Sequence, residues 1–412
     1  MTIKIIGSEG EVDPKRKARA TKLREARKAR LTPQDKQLFA TVQGWMSGDP
    51  MAGAKLKEAV ATADFPVLFN RLVEQGMLAQ YAALPSVWQA FSSRVTVPDF
   101  RQQRLMEWMP NHDQLPEQSG GQPRHPLALP RVPELTEYPT FSLEERAEQY
   151  GVAKYGERFP FSWEVWKNDE FQVLQDLPGE MSRYAIQTED VLTTQVLAGA
   201  DGPNPAFFNT SWDFGPLAAQ SGNSGNLLTS NAPLSVEAVE EAIQAISMRR
   251  VNGRPVTVQQ YALVVPPSLE FTARRIASVA EYTRVNVDAD GNQERFVFPN
   301  LVSGRFTVVV NPWLPLVDTS DTSATTWYLV PSGGSDGTRR AIITAFMAGE
   351  ESPDLRISND QGQAIGGGAV DPYRGSFSHD DVQFRVRHVL GTAGVNPAPV
   401  IVSNGTGEPV ES

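Results

Sequence analysis

Residues 150–199 read YGVAKYGERFPFSWEVWKNDEFQVLQDLPGEMSRYAIQTEDVLTTQVLAG, and the change of pattern inside this stretch decides the architecture. Tyr155-Gly156 interrupts the first part, after which Phe159, Phe161 and Trp163 alternate with Pro160 and Ser162, the period-two pattern of a strand or hairpin. Asn168 or Asp169 then supplies an N-cap, and Phe171, Leu174 and Leu177 mark the apolar face of a helix. Pro178 suits the first position of a new helix. That second helix carries Met181, Tyr184, Val191 and Leu192 on one side and stops near Gly199. At 1.5 Å per residue its twenty or so residues span about 30 Å, the longest regular element in the sequence.

Downstream, residues 202–233 are rich in Gly, Asn, Ser and Pro and read as a loop. Ser235 caps the next helix, with Leu234 and Val239 spaced as a hydrophobic staple and Val236, Val239, Ala242, Ile243 and Ile246 as its buried stripe. Arg249 and Arg250 fall in the last turn, where they complement the helix dipole, and Asn252-Gly253 ends it. Residues 261–265 form a continuous apolar strand stopped by Pro266-Pro267, Ser268 opens a helix through Ile276 and Val279, and residues 306–310 and 327–330 are further strands. Asp288-Ala289-Asp290-Gly291-Asn292 has its glycine at the fourth position of a calcium-loop pattern instead of the sixth, so it reads as a hairpin tip. Val382, Phe384 and Val386 alternate with Gln383, Arg385 and Arg387 as a half-buried strand, for which residues 399–402 are the expected partner.

Upstream, residues 35–93 show helical spacing at Leu38, Phe39, Val42 and Trp45 and again at Phe65, Leu68, Phe69 and Leu72. Residues 95–100 read as a strand ended by Pro98. Pro110, Pro116, Pro123, Pro126 and Pro130 then punctuate a stretch that cannot build its own core, and a neighbouring subunit is one candidate support for it. Between positions 15 and 30, Lys15, Arg16, Lys17, Arg19, Lys22, Arg24, Arg27, Lys28 and Arg30 oppose only Glu25, nine positive charges against one, or +8. The whole chain carries −10, so the remainder carries −18: a short basic helix attached to an acidic body. This segment is either a solvated arm or a contact to nucleic acid or an assembly partner. It has no aromatics, so phosphate attraction is expected and base stacking is not.

The 412 residues bound the chain to two or three domains. Apolar residues make up 40% and charged residues 21%, too apolar for wholesale disorder, and the mean hydropathy of −0.32 is too low for an integral membrane protein. The N-terminus has a four-residue stretch, Ile3 to Ile6, before it turns polar, and no run approaches eighteen apolar residues, so neither secretion nor membrane insertion is signalled. Without cysteine there is no disulfide framework, zinc ribbon or thiol nucleophile. The histidines, at 112, 125, 379 and 388, fall in no metal-ligand spacing. Ser378-His379-Asp380-Asp381 holds the residue types of a hydrolase triad, but adjacent residues cannot form one, and a turn before the last strand is expected. Gly366-Gly367-Gly368 lacks the Lys-Ser/Thr ending of a phosphate loop. Glu144-Glu145 and Glu240-Glu241 read as solvated helix faces. No constellation indicates an enzyme, and neither cofactor nor metal is expected.

The order of these features resembles the major capsid proteins of tailed bacteriophages, especially the Mu-like major head subunit group. The resemblance is carried by Tyr155-Gly156, Phe159 and Phe161-Ser162, Asn168-Asp169, Leu177-Pro178 and Leu197-Ala198-Gly199. It continues through Ala206-Phe207-Phe208, Gly225-Asn226-Leu227, residues 344–349 with Pro353, and residues 384–391 before Pro399. It extends from about residue 96 onward and rests on element order more than on any single motif. It implies an α+β, Hong Kong 97-type capsid fold: an N-terminal arm with the basic helix (1–95), an extended loop lying across a neighbour (96–165), a peripheral domain with the spine helix (166–233), an axial domain (234–349), and a return to the peripheral domain with a C-terminal tail (350–412). It further implies a major head protein that self-assembles as hexamers and pentamers into an icosahedral shell around double-stranded DNA, held by sequence-independent contacts. Portal and scaffolding or head-protease partners follow, with assembly in the host bacterial cytoplasm and no membrane. An encapsulin-like compartment is the alternative of the same fold. Some relatives join subunits through a Lys-to-Asn isopeptide bond, and Lys154 is the only lysine between residues 97 and 165.

Overall fold

The computed structural model describes residues 77–78, 80–110, 134–135, 143–167, 171–212, 225–251, 254–287, 293–332, 340–363, 365–367, 370 and 374–408. The expected helices of residues 35–76, the basic segment and the proline-rich stretch from 111 to 133 lie outside them. Among the described residues the elements run, in chain order, through a 3-10 turn Trp88–Ala90, β1 (Ser93–Val97), β2 (Gln103–Pro110), β3 (Leu143–Tyr150), β4 (Ala153–Ser162), α1 (Trp163–Lys167), α2 (Phe171–Leu197), β5 (Ala198–Gly199) and β6 (Gly202–Pro203). They continue with α3 (Val236–Met248), β7 (Arg250–Val251), β8 (Arg254–Pro255), β9 (Tyr261–Val265), a 3-10 turn Pro267–Leu269, α4 (Glu270–Ser278), β10 (Glu281–Val287), β11 (Gln293–Pro299) and β12 (Phe306–Val310). Last come α5 (Leu314–Val317), β13 (Trp327–Pro331), β14 (Ile342–Met347), β15 (Asp354–Ile357), β16 (Asp381–Gly394) and β17 (Ile401–Ser403). The chain divides into two units, one of Met1–Gln80, Arg158–Glu180 and Leu355–Arg385, the other of Tyr81–Glu157, Met181–Asp354 and Val386–Ser412.

The core of the larger unit is a four-stranded sheet in the order β12-β9-β13-β17. β9 runs parallel to β12 and antiparallel to β13, and β13 is antiparallel to β17. All five residues of β9 are buried, and alternate ones enter different clusters: Tyr261, Leu263 and Val265 pack with α3 and α4 on one face, Ala262 and Val264 with the end of α2 on the other. Trp327 and Leu329 of β13 follow the first set, Tyr328 and Val330 the second. A strand buried on both faces has no polar positions to alternate with, which is why Tyr261–Val265 reads as a continuous apolar run. α3 closes the first face with Val236, Val239, Ala242 and Ile246 buried and Ile243 partly so. The Ser235 hydroxyl accepts from the Ala238 amide at 3.1 Å, the cap expected from sequence.

A second sheet pairs β1 in parallel with β14, which is antiparallel to β16. Ile342 and Phe346 of β14 face the second cluster of the main core, while Ile343 and Ala345 pack with Val97, Val152, Val389 and Val395. β4 also pairs with β16, and backbone approaches backbone closely here. A Cβ at Gly156 would lie 2.5 Å from the Val386 carbonyl oxygen, and one at Gly391 would lie 1.9 Å from that of Gly151. In the smaller unit, Val382 and Phe384 are buried, the Phe384 ring stands edge-on to Phe161 at 5.9 Å, and the Ser358 amide donates to the Gln383 carbonyl at 2.8 Å.

Three expectations are corrected. α2 is one helix of 27 residues, about 40 Å long, and does not restart at Pro178. Proline removes one intrahelical bond but keeps a helical φ, and the turns that follow bury Met181, Ala185, Ile186, Val196 and Leu197, which outweighs that bond. Ser268 does not cap α4, because it sits within the 3-10 turn and its hydroxyl donates to the Ala324 carbonyl at 2.6 Å. β17 pairs with β13, register Trp327 to Ser403, and not with the strand containing Val382 to Val386. Val400, Ile401 and Val402 are all buried, which requires a sheet covered on both faces. The strands β10 and β11 pair from Glu281 with Pro299 to Val287 with Gln293, the expected hairpin, with its tip outside the described residues.

Gly391→Ala forces β16 away from the Gly151 carbonyl. Its expected cost of about 2 kcal/mol or more is readable as a lower urea midpoint with unchanged slope.

Candidate functional site

α2 enters the larger unit carrying two adjacent acidic residues, Glu189 and Asp190, that a helix in water would leave exposed. They are 2% and 4% exposed. Asp190 Oδ1 accepts the backbone amides of Val87 at 2.9 Å and Trp88 at 3.0 Å. These open the 3-10 turn Trp88–Ala90, whose N-cap residue makes no side-chain cap of its own. The acceptor a helix start requires therefore comes from a residue about a hundred positions away. Glu189 takes the Trp88 indole N–H on Oε2 at 2.8 Å, and on Oε1 the Tyr81 hydroxyl and, at 2.7 Å, His388 Nε2. The His388 ring meets Tyr81 edge-on at 5.9 Å and Phe346 at 5.8 Å, and the Arg94 guanidinium lies 4.4 Å from the centroid of Phe346.

A row of hydroxyls continues the network. Thr193 and Thr194 donate to the Glu189 and Asp190 carbonyls one turn back, Thr344 lies 2.8 Å from Ser92 and 3.3 Å from Thr193, and Asn311 Nδ2 donates to Thr194 at 2.8 Å. Burial pushes the Asp190 carboxyl up to about 6, against the opposing hydrogen bonds from Trp88, Val87 and Trp313 and with a further push from the Glu189 charge. Burial, followed by the Glu189 charge, pushes the Tyr81 phenol up as well.

The second buried ion is Arg249, 1% exposed. Its guanidinium donates to the carbonyls of Ala398 at 2.7 Å, Val400 at 2.9 Å and Gly225 at 2.6 Å. The expectation that Arg249 complements the dipole of α3 from the last turn is corrected: it is the C-cap residue, with extended backbone that turns its side chain inward, and Arg250 begins β7. The planar fork suits this post, since its spread donors satisfy three carbonyls at once. Burial lowers its pKa to about 10, with Tyr261 acting the other way, so it remains a cation at neutral pH. Asn226, next to one of its acceptors, is fully buried, donates to the Phe207 carbonyl at 2.8 Å and accepts from the Asn209 amide at 2.7 Å and the Trp212 indole at 3.1 Å.

Neither arrangement opens to a substrate. Among the described residues no group of three or more His, Asp or Glu is placed to hold a metal ion, and no helix is long and apolar enough to cross a membrane. Ser378 Oγ lies 2.8 Å from His379 Nδ1 in the turn before β16, while the Ser376 hydroxyl donates to Asp381 and holds that carboxylate below its usual range. Of the residues singled out from sequence, Lys15, Arg16, Lys17, Arg19, Lys22, Arg24, Arg27, Lys28 and Arg30 lie outside the described residues, and Lys154 stands exposed on β4. What the surface does present is large apolar side chains in quantity: Phe271, Leu301, Leu316, Val297 and Met248 in the larger unit, Phe377 and Ile365 in the smaller.

A family model described as phage capsid protein matches residues 145–403. Among solved structures, a chain from Mycobacterium phage Patience is 14% identical, with 85% of this chain and 90% of that one covered at a TM-score of 0.41. The capsid of an empty GTA particle is 12% identical over 77% and 90% at 0.42. A virus-like particle from Pyrococcus furiosus is 10% identical over 80% and 97% at 0.37. No curated protein matches the chain.

Arg249→Ala strips three buried carbonyls of their donor and is expected to cost about 3 kcal/mol or more, with Arg249→Lys recovering only part because one ammonium cannot span all three acceptors. Thermal unfolding of the three proteins side by side checks the order.

Proposed function

This chain belongs to the phage capsid protein family, so it is a structural protein of a virion shell and not an enzyme; from that premise we propose that it assembles as hexamers and pentamers into the icosahedral head of a tailed bacteriophage around double-stranded DNA. The observation that carries the reading is the extent of the family match, which takes in every described element from β3 to β17 save the first two residues of β3. Two features of the molecule support it. Large apolar side chains remain exposed on both units, as expected of a subunit whose burial is completed by copies of itself. β2 and β3 pair with each other over eight residues and, among the described residues, with no other strand, which suits an extended loop lying on a neighbour.

The domain reading that goes with this function takes residues 1–95 as the arm, 96–165 as the extended loop, 166–233 as the peripheral domain with α2 as spine, 234–349 as the axial domain and 350–412 as the return and tail. The nine basic residues between 15 and 30 face the shell interior, because the segment's net +8 offsets an acidic remainder that would repel a polyanion. A portal and a scaffolding protein or head protease complete the assembly, which takes place in the host cytoplasm. Lys154 is the candidate for a covalent link between subunits.

The chain expressed alone, separated by size-exclusion chromatography and viewed by negative-stain electron microscopy, is expected to give closed shells or capsomer-sized rings. A compact monomer that persists on co-expression with its scaffold counts against the reading, and a protein cargo in place of nucleic acid would make it an encapsulin-like compartment. A subunit-sized band from those shells on denaturing electrophoresis excludes the Lys154 link. Replacing the nine basic residues by Gln is expected to lower DNA retention or assembly yield, and unchanged yield and DNA content remove them from the interior contact.

A further inference from the structure

The Glu189–Asp190 pair is unusual for its charge balance. Two adjacent carboxylates are buried on one helix, and the groups that face them are few. Residues 81–91 contribute the Tyr81 phenol, β16 contributes His388, and β1 contributes Arg94, which lies over Phe346 and whose charge reaches Tyr81. The segment before α5 offers Asn311 and Trp313, and β14 offers Thr344, all uncharged. One imidazole in contact cannot offset two desolvated carboxylates, because each buried ion costs more than a single partner returns. Among the described residues His388 Nδ1 is buried without a hydrogen-bond partner, so the ring meets the pair through Nε2 alone.

The same two carboxylates are what residues 81–91 hold on to. Tyr81, the Val87 amide, the Trp88 amide and the Trp88 indole all donate to Glu189 or Asp190. Protonation of Asp190 and attachment of this segment are therefore coupled. We propose that Glu189 and Asp190 form a proton-linked latch, which holds residues 81–91 against α2 most firmly while Asp190 keeps its proton and loosens as Asp190 ionises.

The direction follows from linkage. In the closed state Asp190 titrates near 6, and in an open state its carboxyl meets water and returns to the ordinary value of 3.8. A raised pKa in the closed state means that state binds the proton more tightly, so the hold is complete below 3.8, is lost as the pH rises through about 6, and levels off above it. Between pH 5 and pH 7.5 the opening equilibrium is expected to rise about ten-fold.

The test is amide hydrogen exchange on the unassembled full chain from pH 4 to pH 8, corrected for the intrinsic rate at each pH. Protection at Val87 and Trp88 should fall about ten-fold from pH 5 to pH 7.5. In Asp190→Asn the side-chain carbonyl still accepts both amides but no longer titrates, so the fall should vanish. A flat profile in the native chain, or a fall that survives in Asp190→Asn, overturns the latch. Should that variant not fold, Glu189→Gln serves instead: removing the neighbouring charge moves the fall to lower pH, and an unmoved profile overturns the proposal. Since the measurement needs no shell, its failure leaves the capsid reading standing.

Discussion

The structure turns on a sheet that has no solvent face. Once Tyr261–Val265 is buried on both sides, the rest of the larger unit has to supply two separate covers: α3 and α4 on one, and the end of α2 with Phe207, Phe208 and Leu314 on the other. The sheet is stabilised by burial of all of β9 and β17 and most of β13, at about 1.5–3 kcal/mol for each large apolar residue, while the edge strand β12 keeps Thr307 exposed. It also excludes water from the loops that meet it. Polar groups there must be satisfied from within the protein, and Arg249, Asn226 and Asn311 stand where strand ends and turns would otherwise leave carbonyls or amides unpaired.

What could be read in advance divides along that line. Elements whose signal is local came through: the Ser235 cap, the apolar run of β9, the alternation of Val382, Phe384 and Val386, and the hairpin flanks of β10 and β11. What failed depended on a partner distant in sequence. An arginine at a helix end has the same local signature whether it faces water or a carbonyl cage, and only the return of Ala398 and Val400 decides between them. A short apolar strand such as β17 does not announce which sheet it joins. Glu189 and Asp190 look in sequence like Glu240 and Glu241, and nothing short of the fold distinguishes the fully buried pair from the half-buried one, in which Glu241 accepts from Ser230. The capsid family was recognisable for the converse reason, since it rests on the order of many local elements and needs no single motif.

A subunit of this kind separates two tasks. In the described core, Glu189, Asp190 and Arg249 are held by hydrogen bonds from within the subunit. The exposed phenylalanines, leucines and valines then contribute contacts that are individually modest and become decisive through repetition around a closed symmetry. Residues such as Phe377, 85% exposed, and Phe271, 77% exposed, would be a solubility liability in a solitary protein and are explained by their setting in a polymer.

The parallel pairing of β1 with β14 joins residues about 250 positions apart, from Ser93 with Ile343 to Val97 with Met347. No local hairpin can nucleate such a ladder, and its closure entropy is lost before any contact repays it. Such long-range pairing slows folding, and until it closes the edge of β14 stays open to strands of other chains.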